Sequence, residues 1–327
     1  MLPTIGRYRR EIFATENVIA PLVNWQLQGM RTAIVTVVAV EGSSPRPLGA
    51  QMAVVEDGSY AGYLSGGCFE KAVAAEAVQA ISSGKNRTVR YGKNSPYFDI
   101  KLPCGSGLDL YFDQDFSRDL YRRADAMLAE RIPVCITTKL STGEKTLSKI
   151  TPGADIQSER SEDIFRSVYL PPIRVLVAGT GTSFAAIAKL CTACGLSVSC
   201  ITSDADAALE LAECGIPSHR SVTESIMITR TLDSYSAVVL AFHDHEQELP
   251  ILAYALESDC FYIGALGSHK TSLARQALLE ARGYCRREIS RIRAPIGLIA
   301  KARCQLAVAS GILAELVLEA KMHQIVS

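Results

Sequence analysis

Residues 173–181 read IRVLVAGTG. This is a short apolar run, too short for a helix, that closes on Gly-x-Gly. Such a run predicts a buried strand feeding a tight turn. SFAAIAKLCTACG (183–195) continues as a helix closed by glycine, and LSVSCIT (196–202) as a second buried strand. A helix at 204–214, a strand at 236–242, a helix at 246–257 and a strand at 260–264 follow. Strands alternating with helices specify a parallel, doubly wound, Rossmann-like sheet. Two extra C-terminal helices, at 271–282 and 303–323, pack on it. The expected fold class is therefore α/β, with this sheet as the C-terminal domain.

The turn Gly179-Thr180-Gly181 lies where a dinucleotide fingerprint presents backbone N–H groups to a pyrophosphate. Gly179 and Gly181 are thus candidate cofactor contacts. Two parts of the fingerprint are absent. Phe184 stands at the third glycine position. Thr202 stands where a ribose-binding acid belongs, and the first acid, Asp204, comes two residues late. A scaffold role, or another phosphate-bearing ligand, ranks ahead of NAD(P). His243-Asp244-His245 follows the strand at 236–242, at the carboxyl end of the sheet where ligands bind. His243 and Asp244 are candidate metal ligands, and Asp244 serves equally as a helix cap. Gly267-Ser268 repeats the arrangement one strand later. Cys191-x-x-Cys194 lies within a helix, away from the N-terminal position that activates a thiol, and reads as packing. Arg286, Arg287, Arg291 and Arg293 read as a solvated basic face, with a phosphate or a protein partner as the other reading.

Upstream of Pro171-Pro172 the texture changes. Residues 151–170 are polar and lack a clear period, and read as a linker between domains 1–150 and 171–327. The first domain is a mixed α/β unit. A helical pattern at 9–28 precedes the β-branched run TAIVTVVAV (32–40). MAVVEDGSYAGYLS (52–65) reads as a hairpin with Asp57-Gly58 at its turn. A helix at 68–82, a strand at 87–92, a strand–loop–strand at 98–112, a helix at 117–130 and strands near 133–138 and 146–150 complete it.

Three loops of this domain are glycine-rich and lie at strand ends: GSSPRPLG (42–49), SGGCFE (65–70) and PCGSG (103–107). Together they supply Arg46 for charge, Ser43 and Ser44 hydroxyls, the N–H groups around Gly66 and Gly67, and the thiols Cys68 and Cys104. That set suits a large, anionic, sulfur-bearing ligand. Cys68 stands at a helix N-terminus, a position expected to lower a thiol pKa.

The motifs GSSPRPLGAQM, LSGGCFE, RYG…CGSGLDL, FHDHEQE, YIGALGS and RAPIGL, in this order over roughly residues 30–315, resemble the XdhC/CoxI family. These are accessory proteins of xanthine dehydrogenase and related molybdenum hydroxylases. The resemblance implies a chaperone, rather than a catalyst, that binds molybdenum cofactor (molybdopterin), supports exchange of its terminal oxo ligand for sulfur and inserts it into an apo molybdenum hydroxylase. It implies a sulfur-donating desulfurase as partner, and a homodimer. Carried over by motif, Cys68 and Cys104 contact the cofactor or its sulfur, Arg46, Ser43, Ser44, Gly66 and Gly67 cradle the pterin phosphate, and Glu70 belongs to the same motif. The second domain departs from the family pattern at Thr182, Thr202, Asp204, Ser268-His269, Ile299-Ala300-Lys301-Ala302 and Cys304-Gln305-Leu306-Ala307. An NAD(P)-dependent oxidoreductase on a small molecule is the alternative, as is a divergent relative in a specialised biosynthetic pathway.

Composition agrees with a cytoplasmic protein. The 327 residues carry 34 basic and 34 acidic side chains, a formal net charge of zero, which points away from nucleic acid and anionic membranes. No signal-peptide pattern and no long apolar run stand out. Ten cysteines scattered without a disulfide-type ladder read as buried hydrophobes for the most part.

Overall fold

The computed structural model describes residues 17–44, 46–65, 69–95, 107–114, 116–151, 154, 156–220, 232–242 and 245–326, those at 245 and 246 by backbone alone. The chain divides into two compact units, 1–171 and 172–327.

In the first unit, α1 (Ile19–Leu27), β1 (Thr32–Glu41), β2 (Gln51–Val55), β3 (Tyr60–Gly62), α2 (Glu70–Ser83), β4 (Arg87–Gly92), β5 (Gly107–Asp113) and α3 (Arg118–Ala129) come first. β6 (Val134–Lys139), β7 (Lys145–Lys149), β8 (Glu159–Ser161) and β9 (Ile164–Tyr169) follow. Five strands form an antiparallel sheet in the order β3-β2-β1-β5-β4, and four form a second in the order β7-β6-β9-β8. β1 is buried on both faces because its β-branched run alternates between two cores. Ala33, Val35 and Val37 pack with Val73, Ala77 and Ile81 of α2. Ile34 packs with Leu22 of α1 and Tyr121 and Leu128 of α3. The expected hairpin is present, with Gly58 at a φ of +85° in its turn.

The expected linker at 151–170 is a correction. Residues 159–161 and 164–169 are strands β8 and β9. Phe165, Ser167 and Tyr169 turn inward at period two. The Tyr169 hydroxyl donates to Gln51 Oε1 at 2.9 Å, tying β9 to the first sheet. Polar residues on the outer face dilute that period in the sequence.

The second unit runs β10 (Arg174–Gly179), α4 (Gly181–Ala193), β11 (Ser197–Ile201), α5 (Ala205–Glu213), β12 (Ser218–His219), β13 (Ser236–Ala241), α6 (His245–Leu256) and β14 (Tyr262–Ala265). α7 (His269–Ala281), α8 (Arg286–Ile289), β15 (Ile292–Arg293) and α9 (Gln305–Met322) complete it. Its six strands are parallel, in the order β12-β11-β10-β13-β14-β15. That is the Rossmann order, whose reversal between β10 and β13 creates a crevice at the strand carboxyl ends. Val175 and Val177 face one core with Ile187 of α4 and Ile312 of α9. Leu176 and Ala178 face the other with Leu252 of α6 and Leu279 of α7. Among the described residues no helix is long and apolar enough to cross a membrane.

Candidate functional site

Strand register brings the glycine-rich segments of the first unit to one end of a sheet. β1 ends at Glu41, which pairs with Gly107, the first residue of β5. Gly107 pairs in turn with Gly92, the last residue of β4. On the other flank β2 begins at Gln51, and Met52 pairs with Gly62, the last residue of β3. The chain segments after β1 and β3 and before β5 therefore leave from the same end of the five-stranded sheet, where β1 runs on past Thr36, the partner of Gln51, to Glu41.

Arg46 joins two of these loops. Its Nη1 donates to the Tyr63 hydroxyl at 2.9 Å, and its guanidinium carbon lies 4.2 Å from the Tyr63 ring centroid. Its backbone N–H donates to Ser44 Oγ at 3.3 Å, which folds the loop back on itself. Ser43 is exposed, and Ser44 and Arg46 are half-buried. Arg46 and the Ser43 hydroxyl can therefore meet an anion from solvent. Tyr63 gave no sequence signal, because its partner lies 17 residues away through strand pairing.

Glu70 is buried at 2 % exposure and does not face solvent. Its carboxylate accepts the Ser65 N–H at 2.7 Å, the Ser65 hydroxyl at 2.9 and 3.0 Å, the Leu64 N–H at 3.2 Å and the Phe69 N–H at 3.3 Å. Burial alone raises a carboxyl pKa, but the hydrogen bonds from Ser65 and its neighbours outweigh it and hold Glu70 below the ordinary value. It also sits in the first turn of α2, where a negative charge complements the helix dipole. Both flanks of the Gly66-Gly67-Cys68 stretch are thus fastened to one carboxylate. Gly66, Gly67, Cys68 and Cys104 themselves lie outside the described residues, as do His243 and Asp244.

Arg90 crosses the same end. It donates to Asp109 at 3.0 Å and to Glu41, and Lys93 pairs with Glu41 at 2.8 Å. Lys93, then Arg90, holds the Glu41 carboxyl below its usual range. Gly107 makes room for this crossing: a Cβ there would stand 2.5 Å from Arg90 Nη2.

The glycines of the second unit have structural reasons. A Cβ on Gly179 would meet the Ala241 carbonyl oxygen at 2.4 Å, so glycine lets β10 and β13 close together. Gly181 has a φ of +75°, and its N–H donates to Asp204 Oδ2 at 2.9 Å. The other Asp204 oxygen caps α5, accepting from Asp206 and Ala207 at 3.1 Å each. Hydrogen bonds from Ala207 and then Gly181 hold this carboxyl below its ordinary value. The N–H that a pyrophosphate would use is already bonded to a carboxylate, whose charge opposes an incoming phosphate. Phe184, at the third fingerprint position, is fully buried in the core beneath α4. Ser268 caps α7 through the Thr271 N–H.

The arginine cluster of 286–293 is divided among separate tasks. Arg291 donates to the Leu256, Ser258 and Cys260 carbonyls, Arg293 pairs with Glu319 at 2.7 Å, and Arg286 is exposed. Cys191 and Cys200 are buried, and burial pushes both thiols up to about 12. No cluster of three metal-ligating side chains occurs among the described residues.

Fold and site together define a class: an antiparallel α/β unit bearing glycine-rich loops, followed by a Rossmann-like unit whose glycine turn is internally occupied. The XdhC and CoxI family model matches residues 25–92, and the XdhC Rossmann domain model matches 175–316. The chain is 34% identical over 298 residues to the molybdenum cofactor insertion chaperone PaoD of Escherichia coli (strain K12), covering 91% of this chain and 86% of that one. It belongs to the XdhC and CoxI family. A crystal structure described as a xanthine dehydrogenase from Bacillus halodurans shares the fold at a TM-score of 0.74 and 21% identity, covering 94% of this chain and 96% of the other.

Proposed function

We propose that this protein is a molybdenum cofactor chaperone, taking the cofactor as cargo and inserting it into a molybdenum hydroxylase of the xanthine dehydrogenase type. The observation that carries the reading is the shared end of the sheet. It gathers the ends of β1, β3 and β4 and the starts of β2 and β5, in a chain 34% identical to a molybdenum cofactor insertion chaperone. Arg46 and the Ser43 and Ser44 hydroxyls suit the phosphate of the cargo. Cys68 and Cys104, which lie outside the described residues, suit by their chemistry molybdenum or the sulfur bound to it, both soft partners for thiolate. Glu70, its carboxylate turned to Ser65, positions the Cys68 loop rather than touching the cargo.

Support for sulfuration by a desulfurase donor, and a homodimeric state, extend the same reading. The Asp204–Gly181 hydrogen bond favours the chaperone over an NAD(P)-dependent oxidoreductase, because it occupies the dinucleotide turn.

The test is cofactor uptake. Purified protein is incubated with molybdenum cofactor, gel-filtered and assayed for bound molybdenum and pterin. The intact chain retains the cofactor and transfers it to an apo-hydroxylase. The double variant Cys68→Ala, Cys104→Ala loses retention. Unchanged retention in that variant would remove the thiol assignment, and no retention by the intact chain would remove the function.

A further inference from the structure

The last helix of the second unit is apolar on more than the face it buries. On α9, Ala309, Ile312, Leu316 and Ala320 turn into the core that holds Ile187 of α4. The outward side carries Leu306, 75% exposed, Met322, 66% exposed, and the exposed Val317 and Leu318. Leu298 and Ile299, both exposed, extend this surface. The Leu298 N–H donates to the Gly311 carbonyl at 3.1 Å, and a Cβ on Gly311 would stand 3.2 Å from the Ile299 nitrogen, so both lie against the helix. These six residues are nearly half of the thirteen large apolar side chains exposed among the described residues. A surface helix ordinarily turns polar residues to solvent, and a concentrated apolar patch marks a contact with something else.

Shape and charge say what fits there. Ala307, Ser310 and Ala314 recur at three- and four-residue steps along one stripe, between Leu306 and Val317 on one side and Leu318 and Met322 on the other. Small residues between two apolar ridges admit another helix. The charges are one-sided. Lys301, Arg303 and Lys321 are exposed at the two ends of the face, with no ion-pair partner among the described residues. The carboxylates of α9 are spent inside. Glu315 accepts from the Tyr262 hydroxyl at 3.0 Å and from the Gly297 N–H at 2.5 Å, and Glu319 pairs with Arg293 at 2.7 Å. A second copy is a poor occupant. Two α9 helices packed along each other about a two-fold axis bring cation to cation, whether they run parallel or antiparallel.

We propose that the outward face of α9, with Leu298 and Ile299, docks the apo molybdenum hydroxylase through an apolar helix of that enzyme flanked by carboxylates. Leu306, Val317, Leu318 and Met322 pack against its apolar side, and Lys301, Arg303 and Lys321 pair with its acidic ends. This rests on the chaperone reading, which requires the chain to meet its client, and it gives that meeting to the second unit while the first holds the cargo.

The experiment measures binding of the full chain to the cofactor-free hydroxylase of the xanthine dehydrogenase type from the same organism, by surface plasmon resonance. Cofactor retention and sedimentation velocity are run in parallel on the same proteins. Two double variants divide the face: Leu306→Ser with Met322→Ser, and Arg303→Glu with Lys321→Glu. All four residues are exposed, so both variants are expected to melt as the intact chain does. Each is expected to bind the hydroxylase about tenfold or more weakly and to retain cofactor as the intact chain does. Binding of the intact chain is expected to weaken as salt rises, and that of the Arg303→Glu, Lys321→Glu protein much less so. A complex indifferent to salt would overturn the acidic partner. Hydroxylase affinity unchanged in either variant, with cofactor retained, would overturn the docking surface and leave the chaperone reading standing. Loss of a dimer in either variant would give the face to a second copy and overturn the partner named here. No cofactor retention by the intact chain would remove the chaperone reading and its client together.

Discussion

The Glu70 carboxylate accepts the backbone N–H of Ser65 at 2.7 Å and that of Phe69 at 3.3 Å, so one side chain closes both flanks of the loop that carries Cys68. Glu70→Gln turns one acceptor into a donor facing donors. It is expected to cost roughly 1–3 kcal/mol, the penalty for buried groups left unmatched. The Glu70 pKa is lowered in the fold, so its contribution is complete above the ordinary value of 4.5 and is lost as pH falls through the folded value. Urea denaturation across that range should show the gap between wild type and Glu70→Gln closing on the acid side. A constant gap would contradict the assignment.

Arg46 and Tyr63 connect the first two loops through a hydrogen bond and a ring contact. Tyr63→Phe removes the first and keeps the second. It should destabilise by about 0.5–1.5 kcal/mol and retain molybdenum cofactor. Arg46→Ala removes both along with the charge, and should lower cofactor retention with near-UV circular dichroism intact. Equal retention in Arg46→Ala and wild type would take Arg46 out of the site.

Gly179 and Gly181 answer to different constraints, and alanine separates them. Gly179→Ala places a methyl 2.4 Å from the Ala241 carbonyl oxygen and forces β10 from β13. Overpacking of this kind costs about 1–3 kcal/mol. Gly181→Ala meets no atom within 4 Å, and its cost is the backbone strain at a φ of +75°, about 1–2 kcal/mol. Calorimetric melting of both, with crystal structures, would show β10 and β13 displaced in the first and in place in the second.

Asp204 bridges the Gly181 turn and the start of α5. Asp204→Ala should lower Tm more than Asp206→Ala, since Asp206 stands beside the cap without forming it. Because the Asp204 pKa is lowered in the fold, the difference should fade as pH drops through its folded value. Titration with NADH should give no saturable binding to the intact chain. Tight binding would restore the dinucleotide turn as a ligand site.

Thiol reactivity follows burial. Cys214, Cys285 and Cys304 are exposed and should alkylate readily near neutral pH. Cys191 and Cys200, buried and pushed up to about 12, should label only on unfolding. Peptide mapping after iodoacetamide treatment reads the order directly, and early modification of Cys191 would revive a redox role for Cys191-x-x-Cys194.

The sequence by itself determined the fold class and most of the elements, but not β8, β9, β12 or β15. Val175, Leu176 and Val177 mark a strand buried on both faces, and Gly179-Thr180-Gly181 marks the turn into α4, because burial period and turn chemistry act within a few residues. The polar stretch at 159–169 hid two strands, since their inward residues, Phe165, Ser167 and Tyr169, count only once a sheet lies beneath them. Only the tertiary structure decided how the polar groups are spent. Glu70 turns inward to Ser65 instead of outward to a ligand, Asp204 reaches back 23 residues to Gly181, and Arg275 meets Glu248 across 27. A carboxylate's partner depends on strand register and helix docking, which long-range pairing sets and no short window of sequence contains.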